Sequence, residues 1–239
     1  SKTMQKSSSN QSPQLDSPGN DHQSIIEQFR KSSGSVIVLT YVDDCIILAR
    51  DRKMITKFIA TLKYGSENFD FADEGTISKY LSVDIQRLPS NSGFTMSQPF
   101  LIERIFCAAD IDLRMTNGRK TPAVEHVLGR DENGAERKHD WNYRKLVGML
   151  GYLQHTTRPD IAMPTHQCAR ISANPKLIHE RAIKRICKYL LNSMDKGIIF
   201  KPDVSRGLEC HVDADFAGGW VGGDHSHPEQ VLSRAGYVI

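Results

Sequence analysis

The run Ser35-Val36-Ile37-Val38-Leu39-Thr40-Tyr41-Val42-Asp43-Asp44-Cys45-Ile46-Ile47-Leu48-Ala49 decides how this chain is read. Two apolar, β-rich runs, 35–40 and 45–49, flank the connection Tyr41-Val42-Asp43-Asp44, a pattern that predicts a hairpin with a polar tip. Neighbouring side chains on a strand point to opposite faces, but at a tight turn two adjacent carboxylates can converge on one cation. Like charges held together repel, and a divalent ion is the usual compensation. Magnesium takes hard oxygen ligands and commonly bridges carboxylates to phosphates. In a two-ion site one ion activates an attacking oxygen and the other steadies the leaving pyrophosphate. Asp pairs also occupy ordinary surface turns. Against that, the tetrapeptide arises by chance in a chain of this size only about once in a thousand.

Moving outward, Asp51 reads as the N-cap of an amphipathic helix whose apolar face is Ile55, Phe58, Ile59 and Leu62. Tyr80–Arg87 and Phe94–Ser97 predict a second hairpin across 89–93. Pro99 suits the first turn of a helix continued by Leu101, Ile102 and Ile105. Residues 110–140 are charged and aperiodic, a polar connector between two structural units. Beyond it Tyr143, Leu146, Val147, Leu150 and Leu153 share a helix face, ended by Pro159, and Pro164 and Pro175 bracket a shorter helix. Leu177–Asn192 is the clearest helix, with Ile178, Ala182, Ile186 and Leu190 on its apolar face. Gly148 and Gly151 lie inside a helix, and close helix packing is the simplest reason for them. Strand character returns at Glu209–Val212, leading into Asp213, with Ala235–Ile239 able to pair beside it. Residues 1–24 are polar and read as disordered.

The chain has 239 residues, 39% hydrophobic and 25% charged, enough for a real core. No apolar run approaches the ~20 residues of a membrane-spanning helix, and no signal-peptide core appears near Ser1. Both ends read as cuts in something longer. Five cysteines, at 45, 107, 168, 187 and 210, are odd in number, widely spaced and without a C-x-x-C pair, which argues against a disulfide framework and a zinc ribbon and fits a reducing, intracellular compartment. His225 and His227 lack partners at ligand spacing and read as a polar loop. The net charge of +3 hides a basic stretch: 12 Lys/Arg face 4 Asp/Glu between Trp141 and Arg206. Within it Arg181, Lys184, Arg185 and Lys188 form one helix stripe, which suits phosphates of a duplex or a solvated face equally well.

The Y-V-D-D hairpin resembles the signature of a reverse transcriptase palm, and further motifs narrow the likeness to copia-type retrotransposons. Asn68–Gly75 (NFDFADEG) and Lys79–Arg87 (KYLSVDIQR) resemble that family's strand pair after the palm helix. Tyr143–Gly148 (YRKLVG) and Thr157–Ala162 (TRPDIA) resemble its downstream motifs, and Lys184-Arg185 with Tyr189-Leu190 its basic helix. Val212–Gly218 (VDADFAG) resembles the start of its RNase H domain, and Ser233–Tyr237 (SRAGY) that domain's second strand. The likeness runs in one order from about Ser35 to the last residue.

This resemblance implies an α+β fold: a polar tail over 1–24, a partial palm and primer-grip region over 25–110, a connector over 111–140, a helical thumb/connection over 141–206, and a truncated RNase H-like start over 207–239. It implies Asp43 and Asp44 as polymerase metal ligands for two Mg²⁺ ions, and Asp213 as the first RNase H carboxylate. Asp215 is implied to be structural or solvent-facing. It places Tyr41 and Val42 near nucleotide, template and primer end, and Leu81 and Ser82 in the primer grip, where Ser82 replaces the usual Gly. Arg181, Lys184, Arg185 and Lys188 would follow the duplex backbone. Lys63 is open between a proton donor and a solvated helix-end lysine. The partners implied are an RNA template with its DNA primer, dNTPs and the remaining Pol polyprotein, with no membrane. A palm needs a third carboxylate upstream, and Asp16 and Asp21 sit in no strand-like context, so the isolated chain is expected to be inert. The alternative is a non-catalytic nucleic-acid-binding remnant of a decayed element. The loop 219–232 receives no function.

Overall fold

Strand alternation and helical periodicity are both realised in a computed structural model of the chain, which describes residues 2–6, 26–31, 34–65, 69–112, 117–123, 128–203, 205–207, 209–215 and 234–238. The fold is mixed helix and strand. It divides into two units, Ser1–Leu81 and Ser82–Ile239. The boundary lies in the turn at Leu81-Ser82, whereas the polar composition of 111–140 had marked that stretch as the divider.

The first unit contains β1 (Lys2–Lys6), β2 (Ile26–Lys31), β3 (Gly34–Tyr41), β4 (Asp44–Ala49), α1 (Arg52–Tyr64), β5 (Phe71–Asp73) and β6 (Lys79–Tyr80). Its five-stranded sheet runs β2-β3-β4-β1-β5, all neighbours antiparallel. Polar composition assigned Lys2–Lys6 to a disordered tail. Main-chain pairing overrides it, because the open sides of β4 and β5 offer ladder partners to any extended segment. The rest of that tail, with Asp16 and Asp21, lies outside the described residues.

Alternation puts Val36 and Val38 of β3 and Cys45, Ile47 and Ala49 of β4 on one face, and α1 covers that face with Ile55 and Ile59. Asp51 caps the helix as its sequence position predicts, accepting the Lys53 N–H at 2.9 Å. Val36, Ile47, Ile55 and Ile59 are buried together, each contributing about 1.5–3 kcal/mol.

The second unit holds β7 (Val83–Arg87), β8 (Phe94–Ser97), α2 (Pro99–Ala108), α3 (Tyr143–Thr156), α4 (Ala162–Arg170), α5 (Leu177–Leu191), β9 (Ile198–Phe200), β10 (His211–Asp215) and β11 (Arg234–Val238). Strands β7, β8 and β9 pair antiparallel, β10 pairs β11, and the helices build the larger core around Ile102, Phe106, Leu146, Leu150, Ile183 and Leu190. Close approach of β9 to β8 depends on two glycines. A Cβ on Gly93 would sit 2.1 Å from the Phe200 carbonyl oxygen, and one on Gly197 would sit 2.0 Å from that of Met96.

Three local expectations change. Pro164 lies inside the first turn of α4, where a missing N–H costs nothing, so it does not bracket the helix from outside. A Cβ on Gly148 or Gly151 would meet nothing within 4 Å, so close packing does not explain either glycine. On α5 the buried face is His179, Ile183, Ile186, Cys187 and Leu190, while Ile178 is exposed. The apolar face is rotated because polar His179 and Glu180 are buried by the connector described below.

Candidate functional site

The hairpin is tighter than its sequence suggests. Tyr41 pairs with Asp44, leaving only Val42 and Asp43 in the turn. Two-residue hairpins favour positive φ at their central positions, because that twist matches the strands. Val42 supplies it at φ 50°, an uncommon conformation for a β-branched residue. Val42 and Asp43 are exposed at the tip, Tyr41 is exposed beside them, and Asp44 is half-buried. By alternation Tyr41 and Asp44 lie on the face opposite α1. Thr40 and Cys45 form the next pair, on the α1 side, where the Cys45 thiol lies 3.7 Å from Thr40 Oγ1.

Tyr80 belongs to the same neighbourhood, and nothing in its spacing signals it. Burial raises its phenol above the ordinary range, and the Asp44 carboxylate raises it further. Tyr80 is therefore a neutral group beside a carboxylate at working pH. Lys63, open between two readings from sequence, holds its ammonium 5.0 Å from the centre of the Phe71 ring.

The chemistry of the donor set suits magnesium: two adjacent carboxylates, hard and anionic, on one hairpin. Among the described residues no third His, Cys, Asp or Glu joins them in a metal-binding group. Asp213 stands in the second unit on β10, exposed and paired across the ladder with Gly236. Its neighbours Val212 and Tyr237 form an exposed cross-strand pair, each 73% accessible. The side chain of Asp215, the loop 219–232 and both its histidines lie outside the described residues.

Leu81 and Ser82 form the turn before β7 with φ 48° and 64°. Both values lie in the left-handed region, where a side chain costs about 1–2 kcal/mol and Gly costs little. That is a physical reason for glycine to suit position 82.

The TRPD motif proves structural. Arg158 is 1% exposed, and its Nε and Nη2 donate to Asp160 Oδ1 and Oδ2 at 3.0 and 2.8 Å. Nη1 donates to the Ser193 carbonyl at 2.8 Å and Nη2 to Ser193 Oγ at 2.7 Å, locking α3 to the end of α5. Tyr189 donates its hydroxyl to Asp160 Oδ2 at 2.6 Å. Burial pushes the Asp160 carboxyl up, but the hydrogen bonds from Arg158 and Tyr189 outweigh it and hold the group below its ordinary range.

The basic stripe of α5 is divided by the connector. Arg185 donates to the Ala123 carbonyl at 2.9 Å and to Thr121 Oγ1 at 2.7 Å, and the Arg119 N–H donates to the Lys188 carbonyl at 2.9 Å. Buried Glu180 accepts the Lys138 and His139 N–H groups at 3.0 and 3.1 Å and the His139 ring Nδ1–H at 2.8 Å. The other ring nitrogen of His139 accepts from the Lys184 ammonium at 2.9 Å. His179 Nδ1 accepts the Lys176 N–H, so its Nε2 carries the proton donated to the Gly129 carbonyl. Of the four cations, Lys184 and Arg185 thus hold the connector in place. The side chains of Arg181 and Lys188 have no partner among the described residues.

Comparison with known proteins gives a coarse identity. No protein-family model matches the chain, and no solved structure does. A retrovirus-related Pol polyprotein from transposon RE1 of Arabidopsis thaliana is 26% identical over 211 residues, 88% of this chain and 13% of that protein. The corresponding polyprotein from transposon TNT 1-94 of Nicotiana tabacum is 30% identical over 191 residues, 77% of this chain and 14% of that protein. A transposon Ty5-1 protein of Saccharomyces cerevisiae is 25% identical over 211 residues, 88% of this chain and 64% of that protein. The homologues over most of the chain are therefore retrotransposon Pol polyproteins, and the chain spans about an eighth of the length of the plant ones. Among the described residues no helix is long and apolar enough to cross a membrane.

Proposed function

We propose that this chain is the segment of a copia-type Pol polyprotein that carries the end of a reverse transcriptase palm, its thumb/connection and the start of RNase H. The observation that carries the reading is the pair Asp43, in a two-residue hairpin turn, and Asp44, first residue of the strand that follows, in a chain whose homologues are Pol polyproteins. Asp43 and Asp44 would hold Mg²⁺, and a bound ion there supplies positive charge against the phosphates of an incoming nucleotide.

The chain's own residues have separable tasks in this reading. Asp43, at the exposed tip, presents its carboxylate to solvent and substrate, whereas half-buried Asp44 is backed by Tyr41 across the ladder and by Tyr80. Val42 projects at the tip, where a primer end would rest. The left-handed turn at Leu81-Ser82 brings backbone close to a strand of nucleic acid. Asp213 would serve the RNase H site. A palm site of this kind needs a third carboxylate, so in this reading the chain alone is expected to be inert in primer extension.

Manganese binding, followed by electron paramagnetic resonance on the 239-residue chain, tests the site without requiring activity. The expected result is weak Mn²⁺ binding that Mg²⁺ competes and that Asp43→Asn and Asp44→Asn each reduce. Binding unchanged in both variants would refute the assignment. Mg²⁺-dependent extension of a primed RNA template, abolished by Asp43→Asn, would refute the inertness.

A further inference from the structure

A cleft of about 420 Å³ lies in the second unit between α5, α4 and the connector. Five cations line it: Arg119, Arg181, Lys184, Arg185 and Lys188. No carboxylate lines it among the described residues. Its floor is aliphatic, made by Pro122, Leu128, Pro164, Ile178 and Ala182, of which Ile178 is 38% exposed. Arg185 and Lys184 are fixed by Ala123, Thr121 and His139, so two of the charges are already immobilised. Arg119, Arg181 and Lys188 have side chains with no partner among the described residues.

The combination discriminates between anionic ligands. A duplex is read by cations that track phosphates along an open surface, and it has no use for an aliphatic floor. A single strand would set its bases on the floor, but strand-binding grooves stack bases on aromatic rings, and among the described residues no aromatic residue lines this one. An acidic peptide satisfies both halves: carboxylates pair with the rim, and an apolar side chain leaves water for the floor.

We infer that this cleft docks an acidic peptide segment anchored by an aliphatic or aromatic side chain. The α5 cations are then assigned to a protein partner and not to a nucleic-acid backbone. The inference stands apart from the metal reading of the hairpin, and either can fail without the other.

Fluorescence anisotropy on the 239-residue chain tests it, with a labelled peptide of about a dozen residues that alternates Glu and Asp with Leu and Phe. A second peptide replaces Leu and Phe by Ser at equal charge, and an RNA–DNA duplex is the third probe. The first peptide should bind about tenfold or more tighter than the second. Arg181→Glu with Lys188→Glu should cost about tenfold or more, as should Ile178→Asp separately, with helical circular dichroism unchanged. Should the double charge reversal disturb folding, Arg119→Ala gives the same readout from outside the helix. Equal binding of the two peptides would overturn the inference, since charge alone would explain it. Failure of the first peptide to bind would overturn it too. So would duplex binding that the three substitutions abolish while peptide binding persists.

Discussion

Replacing Arg158 by Lys keeps the charge and most of the stem, and it should still destabilise the helical unit severely. The guanidinium makes four hydrogen bonds in a fixed fork: two to Asp160 and two to Ser193, all between 2.7 and 3.0 Å. An ammonium is a point donor and cannot span the Asp160 carboxylate and the Ser193 carbonyl together. At least two bonds are lost, and hydrogen bonds to charged groups contribute about 1.5–3 kcal/mol each. Asp160 is 37% exposed, so water rescues part of its side of the pair, whereas the Ser193 side is buried. The net loss is about 2–4 kcal/mol, which for a unit of this size lowers Tm by roughly 5–15 °C. Urea unfolding followed at 222 nm, where α2–α5 dominate, measures it. Tyr189→Phe removes only the 2.6 Å bond to Asp160 and should cost about 1 kcal/mol. A loss below about 0.5 kcal/mol for Arg158→Lys would show that the fork is not what holds α3 to the end of α5.

Further outcomes follow from other features. Burial pushes the Glu180 carboxyl up, but its hydrogen bonds from His139 and Lys138 outweigh this and set the folded value below the unfolded one. Its contribution is therefore complete above the unfolded carboxylate pKa of about 4.3 and is lost as pH falls through the folded value. Glu180→Ala should free the connector near neutral pH, read as faster trypsin cleavage at Arg130 and Lys138 and a cost of about 2–4 kcal/mol. Burial pushes the Cys168 thiol up to about 11 and the Cys187 thiol up to about 12, while Cys107 and Cys210 are exposed. Iodoacetamide on the native chain should thus label Cys107 and Cys210 first and reach Cys168 and Cys187 only after denaturation, as peptide mass mapping would show. Gly148→Ala and Gly151→Ala meet open space and should each stabilise α3 by about 1 kcal/mol in a thermal melt.

Period and capping made much of this fold legible before any coordinates. The hairpin at 41–44, the α1 face with its Asp51 cap, and the apolar face of α3 follow from residue spacing, because local geometry alone sets those patterns. The connector reads as polar and aperiodic, and its anchoring is hidden from the sequence for a physical reason. It satisfies its backbone through side chains forty or more positions away, such as Glu180 with Lys138 and Arg185 with Ala123, and a window along the chain cannot see such partners. The same blindness turned the face of α5: Glu180 and His179 look like exposed polar residues until the connector covers them. At the hairpin, Asp43 and Asp44 are visible as a motif, but Tyr80 comes beside Asp44 only when the first unit folds.

The pairing of Met96 with Ile198 has a consequence for the history and handling of this chain. Helices α2 to α5 all lie between two strands that meet side by side, so the helical body begins and ends about 4.8 Å apart. Closing a loop of about a hundred residues costs about 4 kcal/mol of chain entropy, which β9 can repay only after the whole body has been synthesised. During translation the β8–β9 pair therefore forms only after α2 to α5 have emerged. With its two ends paired, the body has the topology of a graft: joining it end to end and reopening it elsewhere, or setting it into another sheet, is expected to leave its core in place.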